Sequence, residues 1–487
     1  MVISNKLNNK KYITSFTLVL VFLFNLRENL FPANYQQDDI VELEPGYFDS
    51  FICAFGWGDQ HPLFSGIVWI FSKLFSSPEY ITSLLIITFG VMAIVLFFNL
   101  LDRVFNYYFA VLGTVMFITS PIFNTYTIGL KQYNFELFTS VLCLCFLEKF
   151  SHKEISKKDY RLIALVSPVL FLFSFVNILP LLLLFIFLIR KSNTKNLYYL
   201  SLPAVLIFIL QEEILEKIER VSEGGYWDRH FINTNSFTEY IYSFYSLNHA
   251  FLKSFFPFIH HSAIVLLFFF TIILLIKKNN LTSLYSFIAI FLLYILSSVD
   301  LYPIGGGRTD LLFLPFVIIL ILNALEFLLS KFINLSDYKF LLYFSSIYLI
   351  LVLTTTTTFY KNEPINPILS ELEESYNNAN IALLITEEQS HSFLYYSKKL
   401  YGLGNYSTGN CSYENNIENL FISQQFEKIE AISEVKKYPE AALVGIELPN
   451  TIGKLRIVAE QLLNEGYFLI EEKTYPGSLK LLYFKKG

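Results

Sequence analysis

The groups able to do chemistry in this chain sit at the ends of long apolar runs. Between Phe31 and Pro78 lie six carboxylates (Asp38, Asp39, Glu42, Glu44, Asp49 and Asp59) and His61, against one lysine, Lys73. A carboxylate there can act as general base toward an acceptor hydroxyl or amine. Lys131-Gln132-Tyr133 and Arg308 add cations suited to holding a phosphate leaving group. Gly305, Gly306 and Gly307 precede Arg308 and let the backbone approach a bulky headgroup closely. Trp227-Asp228-Arg229-His230 is a further polar run. Together these parts suit transfer of a group from a lipid phosphate. Each also has a plain structural role. An aspartate just after a first span is often a solvated helix end, and Lys131 can be an interface anchor that snorkels. The glycines can form a tight turn, and His61 beside Pro62 can be a satisfied loop residue.

The elements that must position these groups are membrane helices. The chain has 487 residues, 54% hydrophobic and 18% aromatic, with mean hydropathy +0.48. A water-soluble protein rarely carries so much apolar area, because exposed patches aggregate. Helix-length apolar runs predict about eleven spans: 12–30, 80–101, 107–122, 134–150, 161–176, 177–190, 197–214, 258–277, 281–300, 309–330 and 338–360. The run 162–190 is split near Asn177 and Pro180, with a broken or re-entrant helix as the alternative. The fold class expected is therefore a polytopic α-helical membrane protein with a small C-terminal α/β domain. Domain one is 1–360, with its first extracytoplasmic loop at 31–79, and domain two is 361–487.

Charge sets the orientation. Basic clusters at Lys6, Lys10 and Lys11, at Arg103, at Lys153–Arg161, at Arg190–Lys195, at Lys277 and Lys278, and at Lys331 and Lys339 all fall on one face of this topology. The positive-inside rule makes that face, and the N-terminus, cytoplasmic. The acidic loop 31–79, the loop 123–133, the long loop 215–257, the loop 301–308 and the C-terminal domain then lie outside the cytoplasm. Residues 62–76 form a shorter apolar stretch that suits a helix lying in the interface.

After Tyr360 polar residues return. Strands are expected at 381–385, 441–448, 467–471 and 479–484, and helices at 365–379, 390–401 and 451–465, where Ile452, Leu455, Val458 and Leu462 recur at helical spacing. Gly466 is placed to end the last helix. This segment carries no phosphate loop, metal cluster or nucleophile motif.

Three stretches then carry a family resemblance. Asp38-Asp39 follows the first span and His61-Pro62 comes some way later. Ser120-Pro121 ends the third span and Lys131-Gln132-Tyr133 follows. Tyr302-Pro303, the glycines and Arg308 lead into a span with an early Pro315. In these the chain resembles the bacterial GT-C glycosyltransferases of the protein O-mannosyltransferase and aminoarabinose transferase type. It departs from them in having Asp-Asp where Asp-Glu is usual, and Gly129 two positions before the lysine where an acidic residue is common.

The resemblance implies an integral protein of the bacterial inner membrane that transfers a sugar, with inversion, from a polyprenyl-phosphate donor to a lipid, glycan or protein acceptor. It implies Asp38 as base with Asp39 assisting, and Lys131 and Arg308 on the donor phosphate. It places His61, Tyr133, Tyr302 and Gly306 in the substrate site, and it implies no nucleic-acid partner. The acidic loop has carboxylates enough for a divalent metal, but no His/Cys ligand spacing supports one. The alternatives are a transporter or flippase for a lipid or polyol, where charges such as Glu136, Glu148 and Glu326 would matter, and a non-catalytic membrane scaffold.

Overall fold

The structure is a computed structural model that describes residues 2–26, 43, 51–57, 61–191, 205, 228–256, 281–305, 307–332, 338–355, 368, 371, 381–385, 406–408, 411–413, 420–422, 435–446, 454–475 and 479–487. Asp38, Asp39 and Gly306 lie outside the described residues, as do the spans expected at 197–214 and 258–277 apart from Val205. The chain divides into two compact units. One holds Met1–Leu30, Phe55–Ile67 and Tyr80–Phe359, and the other Phe31–Ala54, Val68–Glu79 and Tyr360–Gly487.

The first unit is helical. Among the described residues, Pro78–Val104, Leu281–Ser298 and Arg308–Ser330 are long and apolar enough to cross a membrane. Tyr107–Ile118 with Pro121–Ile128 makes a fourth if the two are one bent span. Helices Val2–Leu26, Tyr133–His152, Lys157–Phe173, Ile178–Lys191 and Phe340–Thr355 lie where further spans are expected. By length or composition they do not qualify on their own.

Two expectations are corrected here. The run 107–122 is not one straight helix. Asn106 caps its start, accepting from the amides of Tyr108 and Phe109 at 2.9 and 3.3 Å. The helix stops at Ile118, and the chain bends by 55° into Pro121–Ile128. Pro121 has no N–H to continue the ladder, so it starts a helix rather than extending one. The segment expected as the loop 123–133 is therefore largely helical. Likewise, the expected loop 215–257 contains the helix Phe237–Phe255, capped by Ser236. Its apolar residues Leu247, Phe251, Leu252 and Phe255 form a buried stripe at helical spacing.

Helix Tyr133–His152 is central to the unit. It packs against Ile178–Lys191, Leu281–Ser298, Leu314–Phe332 and the 3-10 turn Arg308–Phe313. Helix Tyr107–Ile118 packs against Val2–Leu26, Leu314–Phe332 and Phe340–Thr355, and every residue from Phe109 to Ile118 is buried. In lipid, apolar burial alone does not drive helix association, so close packing and interhelical hydrogen bonds must do so. Gly113 shows the packing: a Cβ there would lie 2.5 Å from Leu101 Cδ1 and 2.6 Å from Leu322 Cδ1. Asn134 shows the hydrogen bonding, its buried Nδ2 donating to Ile86 O and Thr127 Oγ1, each at 3.1 Å.

Away from the centre, Ser156 and Asp159 form a capping box for Lys157–Phe173, and Lys149 reaches Asp159 at 2.6 Å. That helix ends at Ser174. A 3-10 turn, Phe175–Asn177, then leads into Ile178–Lys191, so the break in the long run 162–190 falls at Ser174–Asn177.

The second unit contains a five-stranded sheet: β1 (Ile381–Ile385), β4 (Leu420–Ile422), β5 (Glu440–Ile446), β6 (Tyr467–Tyr475) and β7 (Leu479–Lys486) in the order β4-β1-β5-β7-β6. The β4-β1-β5 pairs are parallel and the β5-β7-β6 pairs antiparallel. The hairpin of β2 (Tyr406–Thr408) and β3 (Cys411–Tyr413) is separate. Helix Lys454–Asn464 covers the sheet, and Leu455, Val458 and Leu462 share a buried cluster with Ala382, Leu384, Ala441, Leu443 and Phe484. Tyr467 Oη ties the sheet to the turn before β5, donating to Val435 O at 2.8 Å.

Candidate donor-phosphate site

Within the first unit, four pieces of chain supply the polar groups: the bent helix Pro121–Ile128, the start of Tyr133–His152, the turn 302–310, and the segment 228–232. The 3-10 turn Arg308–Phe313 packs on both helices, and Phe237–Phe255 packs on Pro121–Ile128. Segment 228–232 is tied to the turn and to the end of helix Leu281–Ser298: Ile304 N donates to His230 O at 2.8 Å, and Ile232 N to Ser297 O at 3.3 Å.

Tyr126 is the meeting point. Its ring stands edge-to-face on Tyr133, with centroids 4.9 Å apart, and its phenol lies within electrostatic reach of Lys131, Arg308, Tyr133 and Asp310. The two cations singled out in the sequence thus both act electrostatically on one group. Both are half-buried, which leaves their charge less screened than on an open surface.

Arg308 stands at the end of a tight turn. Gly305 and Gly307 have φ of +71° and +73°, a region an L side chain enters only at a cost. At Gly305 space is also tight, because a Cβ would lie 3.0 Å from Ala250 Cβ and 3.2 Å from Leu247 O. The amides of Gly305 and Gly307 both donate to Asp310, to Oδ1 and Oδ2 respectively, each at 3.1 Å. Asp310 is fully buried.

Glu136, in the first turn of Tyr133–His152, is also buried. Its Oε1 accepts from Ser174 Oγ at 2.6 Å. Gln132, His61 and Arg308 also act on it electrostatically. An aromatic chain packs beside this carboxyl: His61 on Phe64 at 5.7 Å, Phe64 on Phe135 at 5.8 Å, and Phe135 stacked on Phe173 at 4.3 Å.

Of the residues expected in the site, Tyr133 packs on Tyr126, and Lys131 and Arg308 lie within electrostatic reach of the Tyr126 phenol. His61 lies at the start of helix Pro62–Leu74, near Glu136. Tyr302 is buried, and its hydroxyl donates to Thr309 O at 2.8 Å. Burial, with the nearby Glu136 and Asp310 carboxyls, raises that phenol well above its ordinary range, so it serves as a neutral donor. Sequence reasoning passed over Tyr126, Ser174 and Asp310, and treated Glu136 only as a transport candidate. For the carboxyls a signal existed, because a carboxyl at the head of an apolar span must find partners and marks function by default.

Among the described residues, no three His, Cys, Asp or Glu side chains gather as metal ligands would. The acidic side chains of 38–49 lie outside those residues.

No protein-family model matches the chain, and no curated protein matches it in sequence. Solved structures do match it in fold. ArnT from Cupriavidus metallidurans in the apo state aligns with TM-score 0.56 at 10% identity, over 98% of each chain. The same protein bound to undecaprenyl phosphate aligns with TM-score 0.54 at 10% identity, over 97% of each. The Archaeoglobus fulgidus oligosaccharyltransferase, in complex with Zn and sulfate, aligns with TM-score 0.53 at 13% identity, over 88% of this chain and 67% of that one.

The fold is that of the GT-C glycosyltransferases. With its apolar helices, this makes the chain an integral membrane protein. At these identities the likeness establishes the fold, and the chemistry must be argued from the site.

Proposed function

We propose that this chain is a membrane glycosyltransferase that moves a sugar from a polyprenyl-phosphate donor to a lipid, glycan or protein acceptor, with inversion at the anomeric carbon. The observation that carries the reading is the end-to-end likeness to ArnT bound to undecaprenyl phosphate. That Lys131 and Arg308 both lie within electrostatic reach of Tyr126 supports it, because two half-buried cations acting on one region suit a phosphate.

In the proposed reaction, the acceptor oxygen or nitrogen forms a bond to the anomeric carbon. The bond from that carbon to the donor phosphate oxygen breaks, and the oxygen leaves with the electron pair as polyprenyl phosphate. Asp38 takes the acceptor proton, with Asp39 assisting. Lys131 and Arg308 hold the phosphate and stabilise the charge that grows on it as the bond breaks. His61, Tyr133, Tyr302 and Gly306 belong to the substrate site, Tyr302 as wall rather than reacting group. In this reading 1–360 is the catalytic membrane domain, the N-terminus is cytoplasmic, and the loop 31–79 and domain 361–487 face outward.

The test is transfer by purified protein from a polyprenyl-phosphate sugar, wild type against Asp38→Asn. Transfer that is abolished in Asp38→Asn supports the assignment, and full activity in that variant removes Asp38 as base. A wild-type protein that moves the lipid between leaflets of a vesicle, with no sugar transferred, would overturn the enzymatic reading.

A further inference from the structure

The buried aspartate behind Arg308 has no part in the reaction just described, and its geometry gives it one. Both oxygens of Asp310 accept backbone N–H groups, from Gly305 and from Gly307, at 3.1 Å each. Both donors are glycines with positive φ, and Asp310 N closes the ring by donating to Gly307 O at 2.9 Å. A carboxylate so deep in the protein costs free energy unless fixed dipoles meet it, and these two amides point at it. The turn in exchange gains two side-chain acceptors for amides that its own backbone leaves unpaired. Arg308 lies between the second glycine and Asp310 itself, so its backbone position follows from this ring.

The turn also bears on the far wall. Gly307 places its Cα where a Cβ would lie 3.6 Å from Tyr126 Oη, and Tyr126 lies within electrostatic reach of both Lys131 and Arg308. A shift of the turn by an ångström would therefore change the separation of Arg308 from Lys131, and such misplacement is costly in a pre-organised site.

We infer that Asp310 is the positioning residue of the donor-phosphate site: it holds the Gly305–Gly307 turn so that Arg308 meets the phosphate alongside Lys131. This rests on the reading of Lys131 and Arg308 as phosphate ligands.

The experiment is a double-mutant cycle on the purified full chain, reading the affinity for undecaprenyl phosphate and, separately, the thermal midpoint in detergent. Asp310→Asn keeps the size but turns an amide NH₂ toward a backbone N–H. It is expected to weaken binding about tenfold, the cost of leaving one buried amide unpaired. In an Arg308→Ala background the same change should leave affinity unaltered, because its effect runs through Arg308. A purely structural role would lower the midpoint in both backgrounds and weaken binding in both.

Equal weakening in both backgrounds, or wild-type affinity in Asp310→Asn alone, overturns the inference. If Asp310→Asn does not fold, Gly307→Ala disturbs the same ring from the backbone and carries the same test in the same two backgrounds. Failure of the wild-type protein to bind undecaprenyl phosphate would instead count against the glycosyltransferase reading, so the two failures are distinguishable.

Discussion

Ser174 donates a 2.6 Å hydrogen bond to the buried carboxyl of Glu136. It thereby ties the break after helix Lys157–Phe173 to the first turn of Tyr133–His152. Ser174 is extended, with φ −164° and ψ 130°, so the residue that interrupts one helix supplies the donor that another needs. Removing it leaves a buried acceptor short of a partner. Ser174→Ala should destabilise the protein by about 1–3 kcal/mol, measured as a lower thermal midpoint in detergent. An unchanged midpoint would mean that Glu136 finds its partners elsewhere.

Asn134 joins helices Pro78–Val104, Pro121–Ile128 and Tyr133–His152 through Ile86 O and Thr127 Oγ1. Interhelical hydrogen bonds in membranes are worth modest amounts, so Asn134→Ala should cost about 0.5–2 kcal/mol. Asn134→Asp should cost more, because it buries a charge against a carbonyl. Chemical denaturation in mixed micelles orders the two variants, and a more stable aspartate variant contradicts the network described.

Arg308→Lys keeps the charge but loses the planar fork that grips a phosphate through two parallel bonds. The expected result is a fall in kcat/KM of about ten- to a hundredfold with the polyprenyl-phosphate sugar. Activity matching wild type would reduce Arg308 to a point charge in a neutralising field.

His230 gives a pH dependence. Burial, then the adjacent Arg229, and also Arg308, lower its pKa below the ordinary 6.5. A histidine depressed in the folded state stays neutral while the unfolded chain takes up a proton. Stability is therefore full above 6.5 and declines as pH falls from there through the folded pKa. His230→Gln should flatten that acid limb in thermal melts between about pH 5 and 7. An identical slope in wild type and variant would assign the limb to other groups.

How far the sequence reached can be judged residue by residue. Apolar run length placed Pro78–Val104 and Leu281–Ser298, because a helix in lipid must satisfy its own backbone bonds and so leaves a long unbroken pattern. The Ser120-Pro121 step is visible too, but in sequence it marks the end of a helix, whereas the structure makes it a bend between two. A proline states that a ladder breaks, and only packing decides whether another begins. Three-residue strands such as β2, β3 and β4 carry no readable period, which is why they went unforeseen.

What the sequence determined by itself was the class of protein and the types of its reactive groups: lipid-length helices, and lysine and arginine able to meet a phosphate. What only the tertiary structure decided was which of these groups meet. Lys131 and Arg308 both come within electrostatic reach of Tyr126 because the 3-10 turn Arg308–Phe313 packs on helix Pro121–Ile128, which carries Tyr126, and on helix Tyr133–His152, which begins two residues after Lys131. Glu136 finds Ser174 through the packing of separate helices. Such pairings depend on distance in space, which periodicity and composition do not encode, because each reports only on neighbours along the chain. Asp310 is the intermediate case. Its partners are five and three residues away, but they become partners only because the backbone turns left-handed at both glycines.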